Sequence, residues 1–163
     1  MKNKRLLGLS AAFALTLAIG ITSCKKDKDN NASAPMSATV GTDAFSTSAV
    51  VATSHYGLIT VTGGGATKSD TVSLSLTFRD SVNTNAQLAF KDIYVDLGRC
   101  KNSSCKSYGS QNRNTHGTLT ITSVDKTTYK IAGKFNGVFY DTYGGSDSVV
   151  VKDGQFNTTW KPI

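Results

Sequence analysis

Between Thr71 and Phe78 the chain reads Thr-Val-Ser-Leu-Ser-Leu-Thr-Phe, with hydroxyl and apolar residues in strict alternation. A period of two puts Val72, Leu74, Leu76 and Phe78 on one face and Thr71, Ser73, Ser75 and Thr77 on the other. Only a half-buried antiparallel strand uses such a segment well, because helical spacing would scatter its apolar side chains around the axis. After residue 35 no stretch places apolar residues three and four apart over a helix length.

The rest of the chain reads as shorter strands and turns. Met36–Val40, Phe45–Thr53 and Leu58–Thr62 are predicted strands, with Gly41-Thr42-Asp43 and Tyr56-Gly57 as breaks between them. Gly63-Gly64-Gly65 through Asp70 reads as a flexible loop. Leu88 and Phe90 stand in the opposite phase to Ile93, Val95 and Leu97, which predicts a bulge or tight turn near Lys91-Asp92. Gly98 through His116 reads as irregular, with room for one short strand. Gly117–Val124 and Tyr129–Tyr140 follow as strands around Asp125-Lys126-Thr127-Thr128. Asn136-Gly137 is read as a bulge and Gly133 as a position where a side chain would clash. Asp147–Val151, a turn at Lys152-Asp153-Gly154 and Gln155–Trp160 complete the pattern as a final hairpin. The expectation is all-β: about nine strands in an antiparallel β-sandwich or partly closed barrel.

The first 35 residues follow different rules. Lys2, Lys4 and Arg5 precede an apolar run over 6–21, and Thr22-Ser23 lead to Cys24. Basic, apolar and small-residue regions in that order make a signal peptide, and the run falls short of the roughly 20 residues a spanning helix needs. Ile21-Thr22-Ser23-Cys24 resembles a lipobox, in which the cysteine thiol receives a diacylglycerol and the chain is cut before it. Residues 25–35 are charged and polar without apolar periodicity, the composition of a solvated tether. The predicted organisation is therefore a lipoprotein signal peptide (1–23), a lipidated Cys24 with its flexible tether (24–35) and one β domain (36–163). Its expected address is the outer membrane, lipid-anchored and facing the periplasm or the cell surface.

Composition narrows the partners. Of the 18 Lys and Arg, three lie before residue 6, while none of the 11 Asp and Glu precedes Cys24, so the formal charge of +7 falls to near +4 beyond the signal. The cations are scattered rather than arranged in a stripe with interleaved aromatics, which argues against nucleic acid as a partner. Cys100 and Cys105 bracket Lys-Asn-Ser-Ser and are expected to form a disulfide outside the cytoplasm. A zinc site from these two with His55 and His116 has irregular spacing, so no metal or other cofactor is expected.

The chain resembles an uncharacterised family of small Bacteroidota lipoproteins, a domain of unknown function. The resemblance rests on Ser37-Ala38-Thr39-Val40 with Asp43-Ala44-Phe45, on residues 57–63 and 117–123, and on 131–135 and 151–156. It implies an extracytoplasmic β domain with no established activity, and it brings no catalytic residues. A tryptophan that members often carry near the domain start is missing. Asp70-Thr71-Val72, Asp80-Ser81-Val82 and Asp147-Ser148-Val149 also resemble the Asp-Ser/Thr-apolar O-glycosylation motif of exported proteins in that group, with Thr71, Ser81 and Ser148 as acceptors.

No local signature supports catalysis. His55 and His116 stand in no nucleophile elbow, and the chain is expected not to be an enzyme. Asp141, Asp147 and Asp153 match no calcium-loop pattern and read as turn carboxylates. Tyr140, Tyr143 and Trp160 are candidate ligand-binding aromatics, and core packing is the competing use for them. Two roles stay open: a non-catalytic binding domain for a glycan, a peptide or an envelope protein, and a structural coat protein without a small ligand.

Overall fold

The computed structural model describes residues 34–163, so the predicted signal peptide and nearly all of the predicted tether, Cys24 included, lie outside the described residues. The described residues form one compact unit. In chain order the strands are β1 (Met36–Val40), β2 (Asp43–Thr47), β3 (Val50–His55), β4 (Leu58–Ala66), β5 (Thr71–Arg79) and β6 (Gln87–Ala89). They continue as β7 (Tyr94–Lys101), β8 (Ser104–Gly109), β9 (His116–Asp125), β10 (Lys130–Tyr140), β11 (Ser148–Thr159) and β12 (Lys161–Pro162). No helix among the described residues is long and apolar enough to cross a membrane.

Two six-stranded sheets face one another, ordered β2-β1-β11-β10-β9-β6 and β12-β3-β4-β5-β7-β8. Every pairing is antiparallel except the two-residue β12, which runs parallel to β3. The sheets do not close on each other, so of the two predicted architectures the sandwich is the one found. Its core lies between the inner faces, where Val72, Leu74, Leu76 and Phe78 of β5 meet Leu119, Ile121, Ile131, Phe135 and Phe139.

Several local expectations change. The predicted strand 45–53 is two strands in different sheets, because the chain leaves one sheet after Thr47 and enters the other at Val50. The glycine run is not a loop: Gly63, Gly64 and Gly65 continue β4 and pair with Leu74, Ser73 and Val72. Gly63 and Gly65 face inward against Met36 and Thr47, and a Cβ at Gly65 would lie 3.2 Å from that of Thr47. The missing side chains let β1 and β2 approach the backbone of β4, a use of glycine that local composition does not distinguish from a loop.

The predicted final hairpin is one strand. β11 carries one extra residue near Lys152-Asp153, and its register shifts against β1 and against β10 at the same place. Asp153 takes φ 51, so the turn-like triplet serves as a bulge that moves the buried phase from Val149 and Val151 to Gly154 and Phe156. The bulge expected at Asn136-Gly137 is the other side of this irregularity. The phase break near Lys91 is a 3-10 turn over Phe90–Asp92, which carries the chain from β6 in one sheet to β7 in the other. The stretch read as irregular is largely the β7–β8 hairpin. These changes raise the strand count from about nine to twelve.

Candidate functional site

The predicted site residues are spread over the sandwich. Cys100 and Cys105 are joined by a disulfide, directly opposite each other in the β7–β8 ladder. Thr71, Ser81 and Ser148 are all exposed, as acceptor hydroxyls need to be. The aromatics do not form a platform. Trp160 is 5% exposed and packs edge-on against Tyr129, whereas Tyr140 lies at the far end of β10 and Tyr143 is 92% exposed in the loop beyond it. Trp160 is thus taken by the core, and the other two do not share its surface.

The histidines serve local contacts. His55 stacks on Tyr56 at the tip of the β3–β4 hairpin, and His116 donates from Nδ1 to the Asn114 carbonyl at 2.7 Å. They sit in different sheets, and neither makes a hydrogen bond to Ser, Cys or Asp among the described residues. Asp141 accepts from the Tyr143 amide at 2.8 Å, the capping role expected of a turn carboxylate, while Asp153 sits apart in the β11 bulge. Among the described residues no three His, Cys, Asp or Glu side chains are grouped to hold a metal ion.

Chemistry concentrates at a mouth that the sequence reading did not assemble. The inward phase of β7 runs Val95, Leu97, Arg99, Lys101, so it is apolar in the core and cationic where it leaves it. The same phase of β5 runs back from Leu74 and Val72 to Asp70, and that of β8 carries Tyr108, Lys106 and Ser104. Together these residues line a pocket of about 450 Å³, with Asn102 at its rim. The signal was present in the sequence as charges placed on a continuing apolar phase. It was legible only once β7 and β8 were known to pair.

Its geometry is braced from the buried side. The Asp70 side chain is 1% exposed and its Oδ2 accepts from Arg99 Nε, while the Arg99 side chain is 27% exposed. Asp43, on β2 of the facing sheet, places Oδ2 3.8 Å from Arg99 Nη2 and also accepts from the Ser69 hydroxyl. Asp70 Oδ1 is buried and has no hydrogen-bond partner among the described residues. Such an orphan carries a desolvation cost of about 1–3 kcal/mol, so few are retained in native structures.

On the other wall Lys106 Nζ lies 2.6 Å from Asp147 Oδ2, and the Tyr108 hydroxyl donates to the same oxygen at 3.1 Å. These bonds, Lys106 first, hold the Asp147 carboxyl below the usual carboxylate range and raise the Lys106 ammonium in turn. Burial, followed by the bond to Asp147, pushes the Tyr108 phenol up. Asp147 and Lys106 therefore face each other as a charged pair at neutral pH. The mouth can hold a polar or anionic ligand.

A larger depression of about 610 Å³ lies along the loop at Ser81–Ala86, but it gathers no comparable set of charges. No protein-family model, curated protein or solved structure matches the chain.

Proposed function

We propose that this chain is an envelope lipoprotein that uses its β-sandwich as a non-catalytic binding domain. Cys24 and the segments around it supply the anchor. The basic start, the apolar run over 6–21 and the small residues before the cysteine support lipidation, and the polar stretch after it supports a tether to the outer membrane. A single acyl chain binds a membrane only marginally, so stable retention requires the two or more chains such anchors carry. The ligand is a glycan, a peptide or an envelope protein. The observation that carries binding over a purely structural coat is the braced mouth at Arg99, which a packing module would fill with apolar side chains.

The anchor is tested by Cys24→Ala in cells grown with a palmitate-type probe. The variant should lose the label and leave the membrane fraction, whereas unlabelled protein retained on membranes would refute the anchor. Binding is tested separately by presenting the purified protein to arrays of glycans and envelope peptides. Saturable, competable capture supports the binding role, and a blank on both arrays favours the coat protein.

A further inference from the structure

The mouth has the features of a site for one compact anion that also carries hydroxyl groups. Nε of Arg99 is committed to Asp70 and Asp43 flanks one terminal nitrogen, yet the terminal nitrogens make no hydrogen bond among the described residues. A guanidinium held this way offers a pre-oriented fork, which matches a carboxylate or a phosphate better than a mobile ammonium does. Lys101 stands two residues further on the same face and makes no ion pair among the described residues.

Charge and size limit the ligand. Asp43, Asp70 and Asp147 match Arg99, Lys101 and Lys106 in formal charge, so the field is local and suits a single anionic group rather than a polyanion. The lining mixes polar groups of Asn102, Ser104 and the charged side chains with the apolar stems of Arg99, Lys101 and Lys106, while the Tyr108 ring is largely buried. Asp70 belongs to the lining, and its buried Oδ1, without a hydrogen-bond partner among the described residues, is an acceptor that calls for a donor. A pocket of about 450 Å³ accommodates one or two sugar rings rather than a folded partner.

We infer that this mouth binds an anionic sugar unit, its carboxylate or phosphate on the Arg99 fork beside Lys101 and its hydroxyls toward Ser104, Asn102 and Asp70. This deepens the binding role proposed above and rests on it. The full-length protein in detergent is titrated with glucuronate, glucose 6-phosphate, glucose and inorganic phosphate, by calorimetry and by amide chemical shifts.

At least one of the two charged sugars should saturate, with shifts concentrated at residues 69–71 and 99–108, and the stronger of the two identifies the anionic group. Glucose and inorganic phosphate should each bind about tenfold more weakly. Arg99→Lys keeps the charge but loses the fork, and should weaken binding about tenfold or more. Lys101→Ala, exposed and outside the core, leaves the fold intact and should weaken it about three- to fivefold. The assignment is overturned if neither charged sugar saturates by about 10 mM, if glucose or phosphate alone binds as well, or if Lys101→Ala has no effect. Shifts confined to another face overturn it too, and leave the binding domain itself standing, which the arrays judge independently.

Discussion

Gly133 and Gly154 sit opposite Phe156 and Phe135 in the β10–β11 ladder, so each glycine lies under an aromatic ring from the neighbouring strand. A Cβ at Gly133 would come 2.7 Å from Phe156, and one at Gly154 would fall against the ring of Phe135. Gly154→Ala should therefore destabilise the domain by about 1–3 kcal/mol in a urea melt. Gly64 is the contrast: it faces outward, and a Cβ there meets nothing nearer than a carbonyl oxygen at 3.9 Å. Gly64→Ala should stabilise by roughly 0.5 kcal/mol, because the unfolded chain loses freedom without a clash. The clash at Gly133 was legible from its place in an apolar strand, whereas the inward contacts of Gly63 and Gly65 depend on a distant strand that no local pattern announces. Charged residues divide in the same way. Asp147 has a lowered pKa, so its contribution is present above the ordinary carboxylate value and is lost as pH falls through the lowered one. Asp147→Asn should lower Tm modestly at pH 7, with the difference from the parent shrinking toward acid pH and at high salt. Burial raises the Asp96 carboxyl, so that group costs stability at neutral pH and the cost disappears in acid. Asp96→Asn should raise Tm slightly at pH 7 and leave it unchanged once both states are protonated.

The β7–β8 hairpin joins the structural and functional features of the molecule. Its two-residue turn, Asn102-Ser103, has φ of 48° and 68°, the left-handed pair that matches the twist of the flanking strands. Cys100 and Cys105 then face each other on the outer side with Cα atoms 4.0 Å apart, while Arg99, Lys101 and Lys106 point the other way into the mouth. The bond thus fixes the register that brings the cations together. Cys100→Ser with Cys105→Ser should cost about 2 kcal/mol in a urea melt, as expected for a loop this short. Without prior reduction both cysteines of the parent should resist alkylation in the folded protein, and rapid modification would refute the bridge. The disulfide was legible from two cysteines flanking a polar tetrad. The hairpin itself was not, because glycine, serine and lysine carry little strand signal and its outer part, beyond Leu97 and Tyr108, is held by pairing rather than by an apolar face. The same limit hid the mouth, since pairing is what places β8 beside Arg99. β11 failed for the opposite reason: Lys152-Asp153-Gly154 has strong turn chemistry, yet pairing on both sides carries the strand through it as a bulge.

At the scale of the molecule, alternation along single strands was enough to predict an all-β sandwich or partly closed barrel, because it fixes which face must be buried wherever the strand ends up, but it did not choose between the two. Strand order was not legible. β1 pairs with β11 near the other end of the chain, Met36 opposite Phe156, and the chain passes repeatedly between the sheets. β11 lies between β1 and β10 and supplies Val149, Val151 and Phe156 to the core. Without it, the β1–β2 ribbon loses its pairing to β10, β9 and β6 in that sheet, and Phe135 and Phe139 lose their cross-strand neighbours Gly154 and Val149. A chain ending at Gly145 should therefore show no cooperative urea transition and should bind a dye for exposed apolar surface, whereas a chain ending at Trp160 should retain a transition close to that of the parent. Because the closing contacts join residues more than a hundred positions apart, the parent should refold from urea in milliseconds to seconds rather than microseconds. Cooperative unfolding of the chain ending at Gly145 would mean that the sheet holds together without its central strand, and would overturn this account of how the sandwich closes.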